Sequence, residues 1–226
     1  MIIGNGLLAS EFSDLEEINS IVIFASGVSN SLETNNAEFK REEQLITKTI
    51  NKYKNCLFVY FSTCSINDNT INQRPYVLHK LKMEDLFINS AENYLIIRLS
   101  HIVGKGGNEN TIFNYLVNSI KNNSNIHLWK NATRNILDIE DMGKAVRDII
   151  KSGTKNTILN IANPNSYPVN KIVKRIEKHL QKTANLTMIE KGSDISIEIN
   201  ETMPYIQNTG KDFSINYIDE LLRKYH

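Results

Sequence analysis

The chain has no excess charge of either sign. Its 226 residues carry 26 Lys and Arg against 25 Asp and Glu, a net charge of +1, with no long run of one sign. A protein that grips a phosphate backbone needs a basic field, so nucleic acid is not an expected partner. Cysteine is scarce: Cys56 and Cys64 lie near one apolar run, in neither a metal-type spacing nor a paired framework. Reduced thiols in a cytoplasmic protein, with no metal site, are the expectation. No basic flank and no long apolar stretch accompany Met1-Ile2-Ile3-Gly4, so neither a signal peptide nor a membrane-spanning helix is expected. Internal repeats are absent, and no linker is long enough to separate independent domains. Asn is abundant but scattered through persisting hydrophobic periodicity, which reads as compositional bias.

What the chain does have is alternation. Ile2-Ile3 is the stub of a strand, Ile21 to Ala25 and Leu57 to Phe61 are apolar runs of the buried parallel kind, and Tyr94 to Leu99 is a further strand. Helices are expected from Leu7 to about Leu15, from Glu38 to Tyr53 with Phe39, Leu45, Ile46 and Ile50 as its apolar stripe, and from Tyr76 to about Ser90. This order predicts an α/β fold, a Rossmann-type doubly wound parallel sheet with a small C-terminal substrate-binding portion. Residues 1–104 would form the cofactor-binding core. Residues 105–226 would complete it at about 136–162 and supply the substrate-binding part, with helices at Thr111–Ile120, Glu140–Ile150, Val169–Leu180 and from Ile215.

Three motifs carry chemistry. Gly4-x-Gly6-x-x-Ala9, with Leu7 and Leu8 inside it, lies between a strand and a helix. Small residues there let the backbone approach a pyrophosphate; a simple tight turn is the other reading. Tyr76 and Lys80 are one helical turn apart behind Pro75, which suits a first helical position. A neighbouring ammonium favours the phenolate and brings a tyrosine toward acid–base range; for the pair alone, a solvated surface contact is the rival. Ser62-Thr63 at the carboxyl end of a strand tips that balance, because ligands of α/β sheets bind outside those ends.

The order Gly-x-Gly, Ala25-Ser26-Gly27, Ser62-Thr63, Tyr76-x-x-x-Lys80 resembles the extended short-chain dehydrogenase/reductase family, of the NAD-dependent epimerase/dehydratase type acting on nucleotide sugars. Arg98 to Gly104 resembles the segment bordering nicotinamide and sugar. Thr133 to Asp141 resembles the one in which an arginine grips the nucleotide diphosphate. The resemblance implies an NAD or NADP site lined by Gly4, Gly6, Leu7, Leu8, Ala25, Ser26, Gly27, Ser62, Tyr76, Lys80 and Ser100. It implies Thr63 as hydroxyl partner, Tyr76 as acid/base and Lys80 as ribose clamp. Arg134 would hold the diphosphate, Asn110 or Thr111 the nucleotide, and the family's homodimer would form through the 38–53 and 76–90 helices. His101 either donates to a sugar hydroxyl or is a hydrogen-bonded rim residue. His79 reads as structural or solvated, and Trp129 as a packed aromatic rather than a stacking platform.

Departures narrow the reading. The Asp-Glu pair that follows the threonine in 4,6-dehydratases is replaced by Cys64-Ser65, which disfavours elimination. Cys64 is similar to the cysteine of epimerase-reductases, but no histidine stands at Asn108-Glu109-Asn110-Thr111 to work with it, so a packed thiol is the reading. After Glu16-Glu17 the chain passes almost directly into Ile21 to Ala25, so the family's second strand, its helix and the third strand are missing. The residue that would read the adenosine ribose is missing with them. The expected function is reduction of a keto-sugar on a nucleotide carrier, in surface glycan precursor synthesis. C4 epimerisation is the alternative, and a non-catalytic dinucleotide-fold sensor or partner subunit the alternative of another class.

Overall fold

Apolar residues crowd both faces of the expected strands. In a computed structural model of the chain, which describes residues 1–107, 111–192, 194 and 196–226, those strands form one parallel sheet. Its strands are β1 (Ile2–Ile3), β2 (Ile21–Phe24), β3 (Leu57–Thr63), β4 (Asn93–Leu99) and one contributed much later, Thr157–Ile161, in that spatial order. Residues alternate between two cores. Val22, Phe24, Phe58, Tyr60 and Ile96 pack under helices α2 (Asn36–Lys52) and α3 (Pro75–Ser90). Ile23, Val59, Phe61, Leu95 and Ile97 face the opposite way, onto the larger core.

The helix ends follow local chemistry. The Asn35 side chain caps α2 by accepting from the Ala37 N–H at 2.9 Å, and Pro75 opens α3. The first helix, α1 (Leu7–Glu11), is shorter than expected, because Ser13–Leu15 tightens into a 3-10 turn. Arg147 bonds Glu11 at 2.7 Å and Asp14 at 3.0 Å, tying that segment to the far helix Ile139–Lys151.

After β4 come short pieces: β5 (His101–Val103), α4 (Ile112–Lys121), β6 (Ile126–Trp129), β7 (Thr133–Arg134) and β8 (Ile136–Asp138). These lead into α5 (Ile139–Lys151), the late sheet strand β9 (Thr157–Ile161), β10 (Tyr167–Pro168) and α6 (Val169–Leu180). The chain ends through β11 (Leu186–Ile189), α7 (Met203–Gln207) and α8 (Asn216–Tyr225). Three two-stranded sheets, β5 with β8, β6 with β11 and β7 with β10, hold this half together. Among the described residues, β1 pairs only with β2, so it forms one edge of the sheet. No helix among the described residues is long and apolar enough to cross a membrane.

Candidate active site

The carboxyl ends of β1 to β4 open into a cavity of about 820 Å³, within the range of small-molecule sites. Thr63 ends β3, and its Oγ1 accepts the Ser65 N–H at 3.1 Å, starting the 3-10 turn Cys64–Asn67. Its hydroxyl also favours the ionised form of the Tyr76 phenol, which α3 brings to the same wall from its first turn. Lys80, one turn further on, lies in that wall too.

Lys80 is not free to act on the phenol alone. Its Nζ lies 3.1 Å from Glu42 Oε1, 3.1 Å from the Tyr60 hydroxyl and 3.4 Å from the Phe61 carbonyl oxygen. Burial by itself would raise the Glu42 carboxyl. Lys80, His79, the Val28 N–H and the Tyr60 hydroxyl outweigh it and hold the group at about 2. Burial depresses Lys80, against the pull of Glu42. The expectation that Lys80 lowers the Tyr76 pKa is therefore corrected. Burial, then the Glu42 charge, holds the phenol above its ordinary value, against the Thr63 hydrogen bond. His79, read as structural or solvated, is buried: it stacks on Phe39 and bonds Glu42 at 2.9 Å.

The glycines divide by task. Gly4 does not line the cavity; it has φ +130°, and a Cβ there would lie 2.5 Å from the Ala25 carbonyl oxygen. It serves the turn. Gly6 does line the cavity, and a Cβ on it would meet nothing within 4 Å. Gly27 covers the ion pair, a Cβ there falling 2.6 Å from Lys80 Nζ and 2.8 Å from Glu42 Oε1. Leu7, Leu8, Ala25 and Ser26 complete this side. Ser62 reaches the wall, but its hydroxyl is taken up by Glu84, itself held by Arg98 at 2.6 and 3.0 Å.

At the other end of the cavity lie Ser100, His101, Thr111 and Arg134. Among the described residues, Ser100 Oγ and Thr111 Oγ1 are buried with no hydrogen-bond partner. Unpaired buried hydroxyls are costly, so both are suited to a ligand's polar groups. Burial and then the nearby Arg134 push His101 down to about 4, which leaves a neutral imidazole. Arg134 is itself depressed by burial, opposed by the Asp68 charge, and donates to its neighbour's carbonyl at 2.7 Å. Cys64 points its Sγ at the Arg98 carbonyl oxygen, 3.2 Å away, and burial pushes the thiol up to about 12. It is a packed thiol. Asn110 lies outside the described residues.

Residues 6–162 match the family model described as NAD dependent epimerase/dehydratase family. The chain belongs to that family. No curated protein matches the sequence. Among solved structures, it is similar to dTDP-glucose 4,6-dehydratase from Bacillus anthracis in complex with NAD, at 13% identity and TM-score 0.73, covering 99% of this chain and 78% of that one. It is also similar to UDP-glucuronic acid 4-epimerase from Bacillus cereus in complex with NAD, at 17% identity and TM-score 0.74, covering 99% and 77%. RMD from Pseudomonas aeruginosa complexed with NADPH gives 15% identity and TM-score 0.70, covering 98% and 86%. At these identities the likeness is one of fold.

Set within the family, the cavity holds residues that the motifs did not single out. Trp129, expected only to pack, lines the cavity, as do Tyr115, Arg74 and Asp68, whose charge acts on Arg134. Glu42 had a readable signal: it falls on the buried stripe of α2 with Ile46 and Ile50, a charge at a core position. Those lining residues come from separate elements: Tyr115 from α4, Trp129 from the end of β6, Arg74 from the cap of α3, so no single spacing groups them.

Proposed function

We propose that the protein reduces a keto group on a nucleotide-linked sugar with a nicotinamide dinucleotide, in the synthesis of glycan precursors. The observation that carries this reading is the meeting of Thr63, Tyr76 and Lys80 at one wall of the cavity, with the thiol beside them turned away and protonated. Hydride transfer needs one proton donor; elimination or epimerisation beside a keto group needs a further acid/base pair.

The residues fit such a cofactor. Gly6 leaves open space at the first turn, and Ser100 Oγ awaits a partner beside the strand ends. When bound, the nicotinamide supplies the hydride. Thr63 and Tyr76 hold the carbonyl oxygen between their hydroxyls, and Tyr76 gives its phenolic proton to that oxygen as negative charge develops. Arg134 supplies the cation for a diphosphate, Thr111 Oγ1 a polar contact, and neutral His101 either donates to or accepts from a sugar hydroxyl. Ser26, Gly27, Ser29, Asn30, Ser31 and Arg41 line the end where the family's adenosine-reading strand is missing. NAD and NADP are therefore both tested.

Thermal shift with each dinucleotide, with and without UDP- or dTDP-sugars, is the first measurement. Stabilisation by a dinucleotide, raised further by a nucleotide sugar and lost for the sugar in Arg134→Met, supports the reading. No response to any dinucleotide sinks it. With a keto-sugar substrate, Tyr76→Phe is expected to lose turnover while keeping cofactor affinity. Interconversion of C4 epimers without net consumption of cofactor would assign the epimerase chemistry instead.

A further inference from the structure

Glu42 is a fully buried carboxylate that the proposed reaction does not use, and every side of it is occupied. Oε1 accepts from Lys80 Nζ at 3.1 Å and the Tyr60 hydroxyl at 2.8 Å; Oε2 accepts from the Val28 N–H at 2.7 Å and faces His79 Nε2 at 2.9 Å. As a source of stability such a pair is poor, because desolvating two charges offsets most of their attraction. Its position has another consequence. An ammonium beside a phenol favours the phenolate, but an ammonium bonded to a carboxylate presents no net charge. Lys80 Nζ is 6.0 Å from the centre of the Tyr76 ring.

We propose that Glu42 is a positioning residue that holds Lys80 under Gly27 and cancels its charge at Tyr76, so that the phenol stays protonated and the site is poised to donate a proton rather than to remove one. The inference rests on Tyr76 being the acid of the reading above, and deepens it by naming what keeps that acid protonated before the reaction. Of the other groups around Tyr76, Arg74 stands two residues ahead of it but is exposed to solvent, and the rest do not restore a positive field. From β3 comes the neutral phenol of Tyr60; from α2 comes Arg41, paired with Glu38 at 3.0 Å; from α3 come His79, bonded to Glu42, and Glu84, bonded to Arg98. The 3-10 turn adds only the protonated Cys64.

The test needs neither substrate nor cofactor. Protein labelled at tyrosine Cζ with ¹³C and at lysine Nζ with ¹⁵N is titrated from neutral to alkaline pH by NMR, with Tyr76→Phe assigning the signal. In the wild type, the Tyr76 signal is expected to keep its neutral position across the range in which free tyrosine ionises. In Glu42→Gln it is expected to move to the phenolate position, with an ionisation constant at least about tenfold larger. The double variant Glu42→Gln/Lys80→Met, lacking both charges, is expected to return it toward the wild type. Should Glu42→Gln not fold, Glu42→Asp draws the carboxylate back by one methylene and is expected to shift the phenol the same way by less. Unchanged ionisation of Tyr76 in the folded variant overturns the proposal. So does loss of the Lys80 proton while the phenol stays neutral. The reductase reading fails separately, on absence of dinucleotide binding.

Discussion

Gly4 and Gly6 sit two residues apart in one motif, yet alanine should separate them completely. At Gly4, φ of +130° is closed to L side chains, and the added Cβ would lie 2.5 Å from the backbone oxygen of Ala25. That oxygen belongs to the segment whose N–H bonds Ile3 at 2.8 Å, so yielding means unpicking the β1–β2 edge. Backbone strain of about 1–3 kcal/mol and overpacking of similar size put Gly4→Ala near 3 kcal/mol or more, roughly. For a chain of this length that is a midpoint lowered by about 6–12 °C. At Gly6, φ is −87° and the new methyl meets nothing. Its N-cap cost of up to about 1 kcal/mol is offset by about 0.4–1 kcal/mol from a stiffer unfolded chain. Gly6→Ala should therefore melt within about 2 °C of the wild type, a change near 0.5 kcal/mol. Added dinucleotide reverses the ranking. At a hundred times Kd the wild type gains about 2.7 kcal/mol, a gain Gly4→Ala retains when folded and Gly6→Ala loses. Thermal melts with and without NADH and NADPH decide it. Equal losses of stability, or a full ligand shift in Gly6→Ala, would refute the division of labour.

Two further outcomes follow from buried charge. Glu84 is 2% exposed and binds both Arg98 and the Ser62 hydroxyl, so Glu84→Gln should lower the urea-unfolding free energy by about 3 kcal/mol. A loss below about 1 kcal/mol would show the cluster to be a minor prop. His101 is pushed from 6.5 to about 4, so between those values the folded chain binds fewer protons than the unfolded one. Stability therefore rises with pH through that window and is lost on acidification, by about 3 kcal/mol across it. His101→Gln should flatten this slope in urea titrations. It should leave the loss below pH 4.5, where Glu42, held at about 2, becomes protonated in the unfolded chain first. An unchanged slope in His101→Gln would place the acid sensitivity elsewhere.

The parallel sheet was legible because its strands are short and buried on both faces. Val22 and Ile23 point to opposite cores, so both must be apolar, and the run shows no polar interruption. The same physics hid the second half. β7 and β10 are two residues each, too short to show an alternation, and β11 is largely exposed, so no burial pattern marks it. Leu7–Glu11 was overrun because Phe12 and Leu15 continue the apolar spacing; Phe12 is buried, but in the link to a tighter 3-10 turn.

The site divides along the same line. Thr63, Tyr76 and Lys80 are placed by a strand end and a Pro-started helix, and spacing alone predicts that they meet. What spacing does not carry is the sign of the field between them. The i, i+4 pairing of Tyr76 with Lys80 suggests a lowered phenol. Burial reverses that, and the carboxylate that adds to it comes from a separate helix, 38 residues from Lys80 in sequence. Glu42 announced itself only as a carboxylate at an apolar position, and a buried charge requires a buried partner. Among the cations of this half, Lys80 is the one on the facing side of α3 beneath a glycine that leaves it room. Reading the stripe of α2 for its exception, rather than for its rule, leads from Glu42 to Lys80 and so to a tyrosine built to give up its proton late.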